Sequence, residues 1–163
     1  MLLIRLATKE DVTAINRIYN QAVLTTVGTL DTEAKSIEKQ IEWFYEHDNT
    51  YPVFVAVNST DKVLGWLSLS KWSPKGGYRN TAELSMYVDE NMQGQKIGSR
   101  LMEKAIKHGR LVNLHTILAR IAGDNHTSIH LHKKHGFELI GVMKEVGFKF
   151  GRHVDIHLFQ VFL

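Results

Sequence analysis

Apolar positions along the chain alternate between two spacings, and the changes of spacing mark out its elements. Residues 2–6 form a short apolar run that predicts a strand. Thr8-Lys9-Glu10-Asp11 then has the form of a capping box, and Val12, Ile15, Ile18, Tyr19 and Ala22 follow at helical spacing, so a helix comes next. Residues 25–32 are turn-rich. A second amphipathic run over 34–47 puts Ile37, Ile41, Phe44 and Tyr45 on one predicted face. Strand-like runs rich in Val, Leu, Phe and Trp occupy 52–57 and 63–71, and Asn58-Ser59-Thr60-Asp61 between them predicts an antiparallel hairpin. A loop over 72–77 leads to an alternating strand at 81–88. After a glycine-bearing turn, the pattern predicts a helix over 97–108, a strand over 115–121, a helix over 125–135, and strands over 139–146 and 154–163. The expected class is α+β: one domain spanning 1–163, with a mixed, mostly antiparallel central sheet flanked by helices.

Composition narrows the partners. With 44% apolar and 23% charged residues, the chain is an ordinary globular sequence able to bury one continuous core. It has no cysteine, which excludes disulfides, thiolate metal sites and a cysteine nucleophile and suits a reducing compartment. There is no basic leader followed by an apolar stretch, and no run of membrane-spanning length, so a cytoplasmic protein with no membrane partner is expected. Twenty Lys and Arg against seventeen Asp and Glu give a formal charge of +3. The cations are not clustered or interleaved with aromatics, so nucleic acid is not an expected partner.

Within the strand Thr81 to Val88, alternation points Ala82, Leu84, Met86 and Val88 one way and Thr81, Glu83, Ser85 and Tyr87 the other. A mid-strand glutamate is unusual: Glu83 is a candidate general base, or else lies on a solvated face or in a salt bridge. Just after it, Gln93-Gly94-Gln95-Lys96-Ile97-Gly98-Ser99 places small residues where a strand passes into a helix. Backbone N–H groups there have no intrahelical partner and converge on an anion, unless the glycines serve only a tight connection. The turn is neither a P-loop nor a dinucleotide fingerprint, since both strings are absent. Asn125 ahead of Ser128 reads as a helix cap. His126 and His130 share a helix face, but no third ligand is specified and no metal is expected. The loops 71–79 and 147–153 combine cations, aromatics and glycines in a way that suits a small acid.

Taken together, Tyr87-Val88, the 93–99 turn, and Asn125 with Ser128, Leu131, His132, Gly136 and Phe137 resemble the GNAT acyl-CoA N-acetyltransferases over nearly the whole chain. Ile18-Tyr19-Asn20, Trp43-Phe44, Tyr51-Pro52, Gly77-Tyr78-Arg79, Thr81-Ala82-Glu83 and Gly147-Phe148-Lys149-Phe150-Gly151 are similar to the phosphinothricin and methionine sulfone/sulfoximine acetyltransferase branch. The GNAT order β-α-α-β-β-β-α-β-α-β-β agrees with the elements read above. The resemblance implies direct acetyl transfer from acetyl-CoA, without a metal, to the α-amine of a small amino acid analogue. Glu83 would be the base and His132 the group that protonates, or hydrogen-bonds, the leaving sulfur. Met86, Tyr87 and Val88 would pair with pantetheine; Gln93, Gly94, Gln95, Lys96, Ile97, Gly98 and Ser99 would hold the diphosphate; and Asn125 and Ser128 would contact the CoA arm. Leu30, Ser73, Pro74, Lys75, Arg79, Glu83, Leu84, Ser85 and Lys149 would line the acceptor pocket, and the branch implies a homodimer. Two departures stand out. Lys96 occupies the place of the pattern's first glycine, implying weaker or displaced phosphate contacts, and Ser73 stands where related enzymes often carry an arginine. The alternatives are acetylation of a protein, peptide or polyamine amine, or a non-catalytic acyl-CoA binding module.

Overall fold

The computed structural model describes all residues, Met1–Leu163. Its elements are β1 (Leu3–Leu6), α1 (Val12–Thr25), α2 (Ile37–Tyr45), β2 (Val53–Val57), β3 (Val63–Lys71), β4 (Thr81–Val88), α3 (Ile97–Leu111), β5 (Thr116–Ala122), α4 (His126–Lys134), β6 (Glu138–Lys149) and β7 (Arg152–Phe162). The strands form one 7-stranded sheet in the order β1-β2-β3-β4-β5-β7-β6. Every neighbouring pair is antiparallel except β4 and β5. The expected element order and class are those observed.

Local chemistry sets the boundaries. The capping box at Thr8 and Asp11 is formed, and it opens a short 3-10 turn that runs into α1. Ser36 caps α2 by accepting from the Lys39 N–H at 3.3 Å. Asn58 Oδ1 closes the β2–β3 turn by accepting from the N–H groups of Thr60 and Lys62, both at 3.0 Å. At the β6–β7 turn, Phe150 and Gly151 have φ of 52° and 72°, the paired positive angles that match the twist of a two-residue hairpin.

Helices cover both faces of the sheet. Phe54, Leu67, Leu101, Met102, Ile117 and Phe159 build the core on the α3 side, while Ile15, Ile18, Val55 and Trp66 build a second core under α1 and α2. The inner face of α2 differs from the one expected. Tyr45 is 63% exposed, whereas Trp43 and Phe44 pack on the second core and the polar Gln40, at 1%, is the fully buried residue of the helix. The loop from α1 to α2 is tied back by Asn16 and Asn20, whose amides donate to the Lys35 carbonyl at 2.9 and 3.0 Å. β6 outruns its expected end by three residues, because its bulges let the pairing with β7 continue to Lys149↔Arg152.

Candidate active site

The parallel pairing of β4 with β5 covers only Thr81↔Thr116, Ala82↔Ile117 and Glu83↔Leu118. Beyond Glu83 the strands diverge, β4 staying with β3 up to Gly65↔Val88 and β5 with β7 up to Ala122↔Ile156. The result is a wedge between two strands whose facing edges lack a partner, with Glu83 at its apex. Backbone groups on such an edge are available to an extended ligand that adds itself as a strand.

At the open end of β4, none of the backbone N–H groups of residues 93–99 donates to an acceptor in the protein. Their donors and the positive end of α3 therefore face outward together, an arrangement suited to a diphosphate. Two residues in this turn are left-handed: Gly94 at φ 79° and Lys96 at φ 61°. Glycine reaches that region freely and lysine does not, so Lys96 shows why a glycine is favoured at its position. Gly98 has a different task. A Cβ there would lie 2.9 Å from Leu131 Cδ2 and 3.3 Å from Met86 Cε, so its bareness lets α3 close on α4 and β4. Ser99 turns its hydroxyl inward to His135 Nε2 at 2.8 Å, leaving only its backbone on the ligand side.

Glu83 is not a free carboxylate. Arg120 donates to both its oxygens, Nε to Oε1 and Nη2 to Oε2, each at 2.6 Å, and the guanidinium lies 5.5 Å from the centre of the Trp72 ring. The pair raises the guanidinium pKa above its ordinary value, mainly through the hydrogen bonds to Glu83. Of the open readings for Glu83, the salt bridge is therefore present, and it does not exclude a further role.

His132 is 3% exposed, and its Nδ1 lies 2.8 Å from the Ser128 carbonyl. A carbonyl only accepts, so the ring hydrogen sits on Nδ1. Nε2 is then a buried lone pair without a partner. Burial holds the imidazole below its ordinary pKa, and the neutral ring in this tautomer carries no proton on Nε2. That geometry opposes the role of proton donor to a thiolate and leaves the role of hydrogen-bond acceptor. Ser128 is tied into the same turn, its N–H donating to Asn125 Oδ1 at 3.2 Å, so Asn125 is a helix cap.

The chain's residues 4–158 match the profile of the Acetyltransferase (GNAT) domain. The chain belongs to the GNAT acetyltransferase family. It is 36% identical over 159 residues to an L-methionine sulfoximine/L-methionine sulfone acetyltransferase of Pseudomonas aeruginosa, covering 97% of this chain and 92% of that one. Its fold superimposes with a TM-score of 0.94 on a phosphinothricin acetyltransferase from Sinorhizobium meliloti in complex with acetyl-CoA, at 31% identity, covering 99% and 88% of the two chains. A ribosomal-protein-alanine N-acetyltransferase from Brucella melitensis also superimposes, with a TM-score of 0.94 at 36% identity, covering 99% of each chain. This GNAT chain is accordingly an acetyl-CoA-dependent N-acetyltransferase.

The residues expected to line the acceptor pocket of this GNAT enzyme have differing surroundings. Leu84 turns into the core beneath α3. Lys149 is 4% exposed, and its Nζ donates to the Thr29 carbonyl at 2.9 Å, so it straps the 28–31 loop to β6. Leu30 packs against Gly147, where a Cβ would come within 2.6 Å of it. Pro74, Lys75 and Arg79 are exposed, and Ser73 Oγ accepts from the Lys75 N–H at 3.3 Å. Ser85, half-buried, pairs with Ser68 beside Glu83. Tyr87 reaches from the wedge to the Gly28 carbonyl, to which its hydroxyl donates at 3.3 Å. An open cavity of about 290 Å³ beside Asn125 includes neither Glu83 nor any residue of 93–99 in its lining.

Arg120 and Gly65 were not anticipated. Arg120 had one signal, being the sole charged residue within β5. Gly65 had none: a Cβ there would stand 3.0 Å from the Tyr87 carbonyl oxygen and 3.2 Å from Ile97 Cγ2, so its bareness seats the start of α3 against the end of β4.

One buried and two half-buried imidazoles give a pH expectation. Burial is the main cause holding His47, His132 and His135 below their ordinary value of 6.5. The unfolded chain then binds more protons than the folded one in acid, so stability is full above 6.5 and declines as pH falls through the lower folded values. Thermal unfolding from about pH 8 to about pH 5 is expected to show a midpoint that falls below about pH 6; one that rises there would contradict the assignment.

Proposed function

We propose that the enzyme acetylates the α-amine of a small amino acid analogue of the phosphinothricin or methionine sulfone/sulfoximine type, with Glu83 as general base. The observation that carries this reading is the end of β4–β5 pairing at Glu83↔Leu118, which puts the carboxylate at the apex of the wedge. Pantetheine runs along Met86, Tyr87 and Val88, and the diphosphate rests on the amides of 93–99. Glu83 takes a proton from the acceptor ammonium, directly or through water, because only the neutral amine carries a lone pair. The amine attacks the thioester carbonyl, the C–N bond forms, and the C–S bond breaks. The nitrogen, cationic after attack, gives up its second proton through water to the departing thiolate, and His132 Nε2 accepts a hydrogen bond from the resulting thiol.

The experiment is thiol release from acetyl-CoA over phosphinothricin, methionine sulfone, methionine sulfoximine, polyamines and peptides with N-terminal alanine. Turnover on the amino acid analogues supports the reading. The Brucella relative motivates a second one, acetylation of a protein's N-terminal alanine, and turnover on the peptides alone would replace the first with it.

We further propose a cytoplasmic homodimer. β6 is an edge strand, and Ile140, Val146 and Phe148 on it are 50%, 57% and 61% exposed, a long apolar edge that a second copy would cover. Light scattering should give twice the mass of the chain; a monomer at micromolar concentration would reject the dimer. Fractionation that placed the enzyme outside the cytoplasm would reject the compartment.

A further inference from the structure

Arg120 is the one exposed residue of β5, and it stands two positions past Leu118, where β5 has left β4. Its guanidinium is fixed on two sides, by Glu83 at 2.6 Å and by the face of Trp72 at 5.5 Å. Two of its five N–H donors go to Glu83, from Nε and Nη2. Of the three that remain, one on Nη1 and one on Nη2 form the terminal Nη1–Nη2 edge, and none of the three meets an acceptor in the protein. The side chain is 51% exposed while Glu83 is 19% exposed, so the free edge is the more open part of the pair. A guanidinium edge presents two parallel donors with the spacing of a carboxylate.

We propose that the free Nη1–Nη2 edge of Arg120 is the receptor for the acceptor's α-carboxylate. The inference rests on the acceptor class proposed above and assigns the charge that selects it. An α-amino acid carries its ammonium and carboxylate on one carbon, and the Glu83–Arg120 pair presents the opposite charges side by side. Docked head to tail, the four charges alternate in sign: carboxylate on Arg120, ammonium beside Glu83. The amine is thereby delivered to the group proposed as its base. Polyamines bring only cations to Arg120, and a peptide N-terminus brings a neutral carbonyl in place of the carboxylate, so both forgo this contact. Lys75 and Arg79 are less suited to the task, since both are exposed and neither forms an ion pair that would fix it.

The test compares L-methionine sulfone with its α-carboxamide as acceptors for the full-length enzyme and for Arg120→Ala and Arg120→Lys. Arg120→Ala is expected to raise KM for the acid by about 10- to 100-fold, the loss of a charge-assisted contact, while changing KM for the carboxamide by no more than about threefold. Arg120→Lys should recover part of the loss. The different basicity of the two amines cancels, because each acceptor is compared with itself across variants. Acetyl-CoA affinity, measured by calorimetry, should be unchanged in both variants and so reports an intact wedge. Equal losses on the acid and the carboxamide would overturn the inference and make Arg120 a positioning residue for Glu83 alone. Wild-type enzyme inactive on both acceptors would overturn the acceptor class and, with it, this site.

Discussion

Replacing Glu83 with Gln is expected to lower kcat at neutral pH by about 10²- to 10⁴-fold, the usual worth of a positioned general base. Acetyl-CoA affinity should stay within about twofold, because the CoA arm is proposed to meet backbone groups of β4 and of the 93–99 turn rather than this side chain. Gln is the informative substitution. Its amide oxygen still accepts from Arg120, so the guanidinium that Glu83 now holds at 2.6 Å keeps a partner while proton-accepting capacity is lost. The deficit should shrink as pH rises towards the pKa of the acceptor amine, since the amine then deprotonates in solution. Kinetics for the sulfone across pH would show this convergence. A Glu83→Gln enzyme with full turnover at every pH would remove Glu83 from the chemistry and leave it as the anchor of Arg120.

The salt bridge bears on how a base can work there. A carboxylate has lone pairs beyond the two that accept from Arg120, so pairing leaves an acceptor direction open. It also fixes the carboxylate in place, and a fixed base loses less entropy on engaging the amine. Arg120 bound to a substrate carboxylate would have its charge shared between two anions, which loosens its hold on Glu83 when the amine arrives. The strap from Lys149 to Thr29 and the hydroxyl of Tyr87 on Gly28 hold the 28–31 loop on the same side of the sheet. Burial keeps the Lys149 ammonium below its ordinary pKa, consistent with a group that anchors backbone rather than meeting ligand in water.

Element order was legible because it rests on local spacing and caps. The alternation across Thr81 to Val88 placed Leu84 and Glu83 on opposite faces, and the core contacts of Leu84 on the α3 side agree. The inner face of α2 was not legible. Tyr45 and Trp43 are equally apolar to a periodicity argument, and it is the contact of Trp43 with Trp66, ring centres 5.3 Å apart, that decides between them. No local pattern reports the wedge, since where β4 and β5 part depends on which strand each keeps as its other neighbour. Arg120 escaped notice for the same reason. Its partner lies 37 positions away in sequence and becomes adjacent only through the short parallel pairing. The resemblance implies that Gly98 holds the diphosphate, but its glycine identity is equally explained by the approach of Leu131, which no local pattern reports.

That distinction decides which substitution tests the diphosphate cradle. Aspartate at Gly98 would be driven between Leu131 and Met86, burying an unpaired charge in an apolar niche, so lost binding could follow from disrupted packing. Gly94 is the better position. A Cβ there meets nothing within 4 Å, and its φ of 79° is one that Asp and Asn tolerate better than other side chains. Gly94→Asp is expected to weaken acetyl-CoA binding by about 10- to 100-fold, as one added anion near two phosphate charges would do at partly screened separation. Gly94→Asn has the same shape and no charge, so it should retain affinity to within about threefold. Raising the salt concentration should narrow the gap between the two variants, because an exposed charge is screened. Calorimetry at two ionic strengths would measure both effects. Equal affinity for Asp and Asn variants at low salt would mean that the unpaired amides of 93–99 do not face the diphosphate, and the anion would have to be sought elsewhere along the wedge.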